Sequence, residues 1–200
     1  MTVSFTRIDA VALPIAQPNF DTDQIIPARF LSRDRDLGLA DCLFRDLRFT
    51  TGGAERPEFV LNRPEFRPAE IVVGERNFAC GSSRENAVWA LFDYGFRAAI
   101  APSFGDIFKN NCIKNGMLPV VLPAETVASL LAQLQHAPGA RVQIDLPTQT
   151  VVLPDGTRHG FEIDPFAKHC LLNGVDQIAF TLSQVDEITA FENRYGRENA

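Results

Sequence analysis

AEIVVGERNFACGSSRENAVWALFDY, residues 69–94, decides the fold. Ala69 to Val73 is a short apolar run of strand character. The polar turn Cys80-Gly81-Ser82-Ser83-Arg84-Glu85 follows, and then Ala87 to Tyr94, whose apolar residues recur at helical spacing. Gly95 stands where a left-handed residue closes a helix. Two hydroxyls and a guanidinium are thereby delivered to a helix N-terminus, where free amide N–H groups and the helix dipole favour negative charge. That suits a chain that grips a carboxylate and stabilises an oxyanion.

Towards the C-terminus the alternation continues. Arg97 to Ala101 reads as a strand and Phe104 to Lys114 as a short helix ended by Asn115-Gly116. Leu118 to Leu122 is an apolar strand, and Ala124 to Gln135 a helix with Pro123 near its start. Such alternation predicts βαβ units and some parallel sheet. The style then changes. Arg141 to Leu146 and Thr150 to Leu153 alternate as strands, and Pro154-Asp155-Gly156 is a turn before Thr157 to Ile163. Pro165 opens a helix through His169 to Leu172, closed by Asn173-Gly174. Ser183 with Asp186 and Glu187 begins a last amphipathic helix carrying Val185, Ile188 and Phe191.

Towards the N-terminus, residues 2 to 13 carry a strand-like stretch closed by Pro14 and Pro18. Asn19 to Pro27 is a polar loop running into Ile25-Ile26, and Leu37 to Leu47 has helical spacing. Thr50 to Pro57 and the neighbourhood of Arg33 to Gly38 are expected to be mobile loops. The fold class is α/β: one domain over residues 1–200 with a mixed sheet and flanking helices. Its later part, about residues 141–200, is a helical and β appendage containing a small antiparallel β unit.

Two hundred residues at 46% hydrophobic suffice for one sizeable core. No apolar run approaches a membrane span, and the N-terminus lacks a basic region followed by an apolar one, so the expected setting is cytoplasmic. The net charge of −6, with acids and bases mixed, argues against a nucleic-acid surface. Cys42, Cys80, Cys112 and Cys170 form no C-x-x-C pair and have no His at metal-ligand spacing, so no self-contained zinc or iron–sulfur site is expected. Three of them read as buried reduced thiols. Cys80 differs only by its place in the turn, and His136, His159 and His169 are all far from it in sequence.

Ser82-x-x-Glu85 also reads as a capping box, with Ser82 as N-cap and Glu85 reaching back to its amide. On those residues alone the cap is the simpler reading, but it explains neither Arg84 nor Gly81. For Ser82 to act as a base, its alkoxide would have to be held by helix amides, Arg84 and a dry site. Asn19-Phe20-Asp21-Thr22-Asp23 is ordinary turn chemistry, or else puts Asp23 at a site edge. Asn110, Asn111 and Lys114-Asn115-Gly116 read most simply as a helix polar face with its C-cap.

Three segments in order, D-T-D-x-I-I-P, N-F-x-C-G-S-S-R-E and P-S-F-x-D-I-F-x-N-N-x-x-K-N-G-x-L-P, resemble the small subunits of 3-isopropylmalate dehydratase (isopropylmalate isomerase). These are the swivelling β/β/α domain of the aconitase superfamily carried on a separate chain. Phe161 to Gly174 is similar to the bacterial members, and the likeness runs from about residue 3 to residue 195. The resemblance implies a large-subunit partner that carries a [4Fe-4S] cluster, and a dicarboxylate substrate. It implies leucine biosynthesis, by interconversion of 2- and 3-isopropylmalate. Ser82 then matches the serine that takes and returns the carbon-bound proton. Arg84 matches the arginine that clamps a substrate carboxylate, Ser83 lines the same turn, and Asp23 matches an acid that orients its neighbours. Phe30-Leu31-Ser32-Arg33 falls on the substrate-specificity loop, which makes Arg33, with Arg29 and Arg35, a candidate contact. The chain departs from the family at Asn86, where histidine is usual, at Val88, where proline is, and at Ala79, where glycine is common. The rival expectations are a paralogue hydrating citraconate or dimethylmaleate, and a non-catalytic binding module of the same fold.

Overall fold

The computed structural model describes residues 3–81 and 84–198. Seven strands, β1 (Arg7–Ile15), β2 (Ile71–Gly74), β3 (Ala98–Ala101), β4 (Leu118–Val121), β5 (Arg141–Asp145), β6 (Thr150–Val152) and β7 (Arg158–Gly160), form one sheet in the order β4-β3-β2-β1-β5-β6-β7. The helices are α1 (Thr22–Ile25), α2 (Arg45–Arg48), α3 (Glu85–Tyr94), α4 (Asp106–Lys114), α5 (Ala124–His136), α6 (Pro165–Asn173), α7 (Gln177–Ser183) and α8 (Val185–Glu198).

Four strands, β4-β3-β2-β1, are parallel, and β5, β6 and β7 continue the sheet antiparallel from the other edge of β1. Every residue of β2 and β3 is buried, as a parallel sheet covered on both faces requires. Successive side chains serve opposite cores. Leu13, Val72 and Ala99 face one layer with Leu91 and a group of phenylalanines. Ala12, Ile71, Val73, Ala98 and Ile100 face the other, with Leu130 and Leu134 of α5 and Leu171 of α6. The antiparallel strand β5 alternates exposed and buried residues, because only one of its faces is covered.

Three local expectations change. Leu37 to Leu47 is not one helix but a 3-10 turn at Ala40–Cys42 followed by the single turn α2. Between them Phe44 takes a left-handed backbone (φ 50°) and donates its N–H to Ile25 O at 2.7 Å. Burying that ring outweighs the helical spacing. The loop Asn19 to Pro27 contains α1. The last helical stretch is two helices, α7 and α8, with the left-handed Gly174 ahead of them (φ 64°). α7 and α8 leave Ile178, Leu182, Val185, Ile188, Phe191 and Tyr195 exposed. Among the described residues no helix is long and apolar enough to cross a membrane.

Candidate active site

Because β1, β2 and β3 run parallel, the loops at their carboxyl ends emerge side by side, where ligands of open α/β sheets bind. The backbone laces these loops together. Phe78 N–H donates to Ser103 O (3.0 Å) and Gly105 N–H to Phe78 O (3.0 Å), while Thr22 N–H donates to Cys80 O (2.9 Å). Asn77 adds its N–H to Ser103 Oγ (2.8 Å) and its side-chain Nδ2 to Asn19 Oδ1 (2.9 Å).

Beneath them Phe78, fully buried, stacks on Phe20 with ring centroids 5.7 Å apart and meets Phe104 and Phe108 edge-on at 6.3 and 5.9 Å. One ring from each loop, with Phe108 of α4, thus makes a common floor. The turn above is tightly wound. Asn77, Ala79 and Gly81 all have left-handed backbones (φ 58°, 56° and 91°). Asn and Gly tolerate this, whereas an alanine there costs on the order of 1–2 kcal/mol, which is why a glycine is at home at position 79. Close packing holds Ala79 in place: a Cβ on Gly105 would lie 2.6 Å from Ala79 O.

The capping box expected from Ser82 to Glu85 falls partly on Ser82 and Ser83, which are outside the described residues. The residue capping α3 is Arg84, with an extended backbone (φ −118°, ψ 118°) and no side-chain cap, and Glu85 is the first helical residue. A complete capping box occurs at Asp21 and Gln24. Gln24 N–H donates to Asp21 Oδ1 (2.8 Å), and Asp21 N–H donates to Gln24 Oε1 (3.1 Å). That box fixes α1 and places Asp23 in its first turn, where its carboxylate pairs with the guanidinium of Arg84. Arg84 is largely covered, its side chain 20% exposed, while Asp23 is 53% exposed and faces the rim.

Arg84 lines a cleft of about 210 Å³ together with Thr22, Gly81, Gly105 and Asp106. The N-termini of α3 and α4 both open here, and among the described residues neither N-cap, Arg84 or Gly105, makes a side-chain cap, so the two helix dipoles favour an anion at this place. The arrangement can hold a carboxylate between a half-neutralised guanidinium and two helix starts.

Of the residues predicted from sequence, the structure brings Asp23 and Arg84 together. Arg33 Nη1 instead bonds Asp41 (2.9 Å) and Cys42 Sγ (3.1 Å). Burial and the Asp41 carboxylate push the Cys42 thiol up, against the pull of Arg33, so it stays protonated. Arg29 pairs with Asp46, and Arg35 forks onto Asp93 at 2.6 and 2.8 Å. All three loop arginines are therefore committed within the chain. Cys42, Cys112 and Cys170 are buried free thiols, and Cys80 is half-buried. Among the described residues no group of three His, Cys, Asp or Glu side chains could hold a metal ion. The described residues therefore offer no fit for a metal cluster.

One junction went unread in the sequence, that of Asn115 with Glu85 and Trp89. Asn115, the C-cap of α4, donates from Nδ2 to Glu85 Oε1 (2.8 Å) and accepts from Trp89 Nε1 (2.9 Å), joining α4 to the start of α3. Spacing alone offered no signal for this contact across 30 positions.

Comparison with known proteins bears on the family and the fold. The family model described as the aconitase C-terminal domain matches residues 3–125, and a second, described as LeuD_N, matches residues 128–165. A 3-isopropylmalate dehydratase small subunit of Paramagnetospirillum magneticum is 52% identical over 188 residues, covering 94% of each chain. One from Roseiflexus castenholzii is 54% identical over 185 residues, covering 92% of this chain and 90% of that protein. A solved structure of 3-isopropylmalate dehydratase from Methanocaldococcus jannaschii superposes with a TM-score of 0.65 at 26% identity, covering 93% of this chain and 99% of that one.

Proposed function

Because the chain belongs to the aconitase C-terminal domain family, among its 3-isopropylmalate dehydratase small subunits, we propose that it closes a dicarboxylate site whose other wall is a large subunit. The reaction removes a hydroxyl and the proton of the neighbouring carbon from 2-isopropylmalate. Water then returns across the double bond with its hydroxyl on the other carbon, giving 3-isopropylmalate for leucine synthesis.

The observation that carries this reading is the Arg84–Asp23 pair at the mouth of a cleft flanked by the N-termini of α3 and α4. Arg84 forks onto a substrate carboxylate, a task suited to a planar guanidinium. Asp23 holds that guanidinium in place through α1, and Ser83 contributes a hydroxyl at the same turn. Ser82 takes the carbon-bound proton and gives it back, its alkoxide stabilised by Arg84 and the amides around it. Arg33 acts at the margin, shaping the 31–42 segment through Asp41 and Cys42 rather than gripping substrate unaided. A [4Fe-4S] cluster on the large subunit supplies Lewis-acid chemistry at the substrate hydroxyl when present. Residues 1–200 act as one swivel domain, in the cytoplasm. The apolar side chains exposed on α7 and α8 support a chain that works against a partner.

The test is co-expression with the large subunit, anaerobic cluster reconstitution, and an absorbance assay for 2-isopropylmaleate. Turnover that needs both chains supports the reading. Absence of any complex, or equal turnover without this chain, refutes it.

A further inference from the structure

Glu85 sits next to Arg84 at the first position of α3, which poses an electrostatic problem. A carboxylate there can reach back to the helix amides, as in a capping box, or fold onto the neighbouring guanidinium. Either would oppose an anion in the cleft. The structure shows neither among its described residues. Glu85 Oε1 accepts from Asn115 Nδ2 at 2.8 Å, and the ion pair of Arg84 is with Asp23.

Asn115 suits this task through its orientation. Its Nδ2 also donates to Asn111 O (2.9 Å), and its Oδ1 accepts from Trp89 Nε1 (2.9 Å). Turning the amide over would set donor against donor at Trp89 and acceptor against acceptor at Glu85 and Asn111 O, so one orientation alone satisfies all three partners. The α4 C-cap on which Asn115 sits is itself fixed, since the Asn115 N–H reaches Asn111 O and Cys112 O, both at 3.1 Å.

We propose that Asn115 is a positioning residue for the carboxylate grip: it holds the Glu85 carboxylate off Arg84 and off the first amides of α3, leaving both to the substrate. This rests on the reading of Arg84 as the substrate clamp. A grip felt equally by bound substrate and transition state shows in KM rather than kcat.

The experiment uses the complex reconstituted with the large subunit. KM and kcat for 2-isopropylmalate are measured for the parent, Asn115→Ala, Asn115→Asp, and Asn115→Asp combined with Glu85→Gln, with thermal midpoints alongside. Asn115→Asp drives the Glu85 carboxylate away and should raise KM about tenfold with kcat nearly kept, and Asn115→Ala should raise it less. Adding Glu85→Gln restores a donor–acceptor pair and removes the competing charge, so KM should return to within about twofold of the parent whatever the midpoint does. An unmoved KM in both single variants overturns the proposal. So does a raised KM that Glu85→Gln fails to lower, which marks a purely structural role. If Asn115→Asp does not assemble, Asn115→Ala decides the question alone. A parent complex without turnover sinks the functional reading as well. An active parent with unmoved variants sinks this inference only.

Discussion

Arg84 and Asp23, 61 residues apart in sequence, are joined as an ion pair at the edge of the cleft. Arg84 comes from the turn after β2, and Asp23 from the single helical turn after β1. The pair ties together the two loops on either side of the candidate substrate position.

Replacing Arg84 by lysine keeps the charge and loses the fork. A hydrogen bond to a charged group is worth about 1.5–3 kcal/mol, so kcat/KM of the reconstituted complex should fall roughly 10- to 150-fold. Asp23→Ala should lower activity as well, by releasing the guanidinium, yet cost under about 1 kcal/mol of stability because half of the Asp23 carboxylate is in water. Steady-state kinetics and urea unfolding separate the two effects. An Arg84→Lys complex with parental kcat/KM would remove the clamp.

Gly105→Ala forces a Cβ to within 2.6 Å of Ala79 O and 3.3 Å of Cys80 Cα, both backbone atoms with little freedom to yield. The loops after β2 and β3 must separate, at a cost of about 1–3 kcal/mol. Thermal unfolding should show a lowered midpoint, and kcat/KM should fall because the turn carrying Arg84 shifts. An unchanged midpoint would mean that the two loops are not in contact.

Asp145 is held down to about 2 from its ordinary 3.8, first by the Thr148 backbone N–H at 2.9 Å, then by the Thr148 hydroxyl and Arg7. A carboxylate depressed in the folded state contributes stability that is complete above its unfolded value. That stability is lost as pH falls from about 4 towards about 2. Asp145→Asn should therefore lower stability near neutrality and flatten the acid limb in that window, so that the parent and variant curves converge as pH approaches about 2. Chemical denaturation at stepped pH values reads this. A parental acid slope in the variant contradicts it.

Thiol labelling should single out Cys80. Cys42, Cys112 and Cys170 are buried, and burial pushes the Cys112 thiol far up. One thiol should react first in the folded chain, Cys80→Ser should abolish that phase, and substrate should slow it in the complex. Two thiols reacting at equal rates would contradict the placement.

The β2–turn–α3 unit was legible because strand and helix periods change within residues 69–94, and the parallel half of the sheet followed from its repetition. What sequence obscured has particular causes. Glu85, legible only as half of a capping box, accepts from Asn115, and a complete box stands at Asp21-x-x-Gln24 in what read as plain loop. Leu37 to Leu47 keeps helical spacing while Phe44 turns left-handed to bury its ring. The Arg84–Asp23 and Asn115–Glu85 contacts span 61 and 30 positions, beyond the reach of local pattern. Arg29, Arg33 and Arg35 read as candidate substrate contacts because their partners Asp46, Asp41 and Asp93 could not be assigned without the fold.

The most direct test of the account is the rate at which a complex carrying Ser82→Ala turns over 2-isopropylmalate, with assembly checked by co-purification. A positioned general base contributes about 10²- to 10⁴-fold, so the rate should fall by at least about 100-fold in an intact complex. A rate within about threefold of the parent would show that the proton leaves and returns by another group, and that this turn does not carry the chemistry.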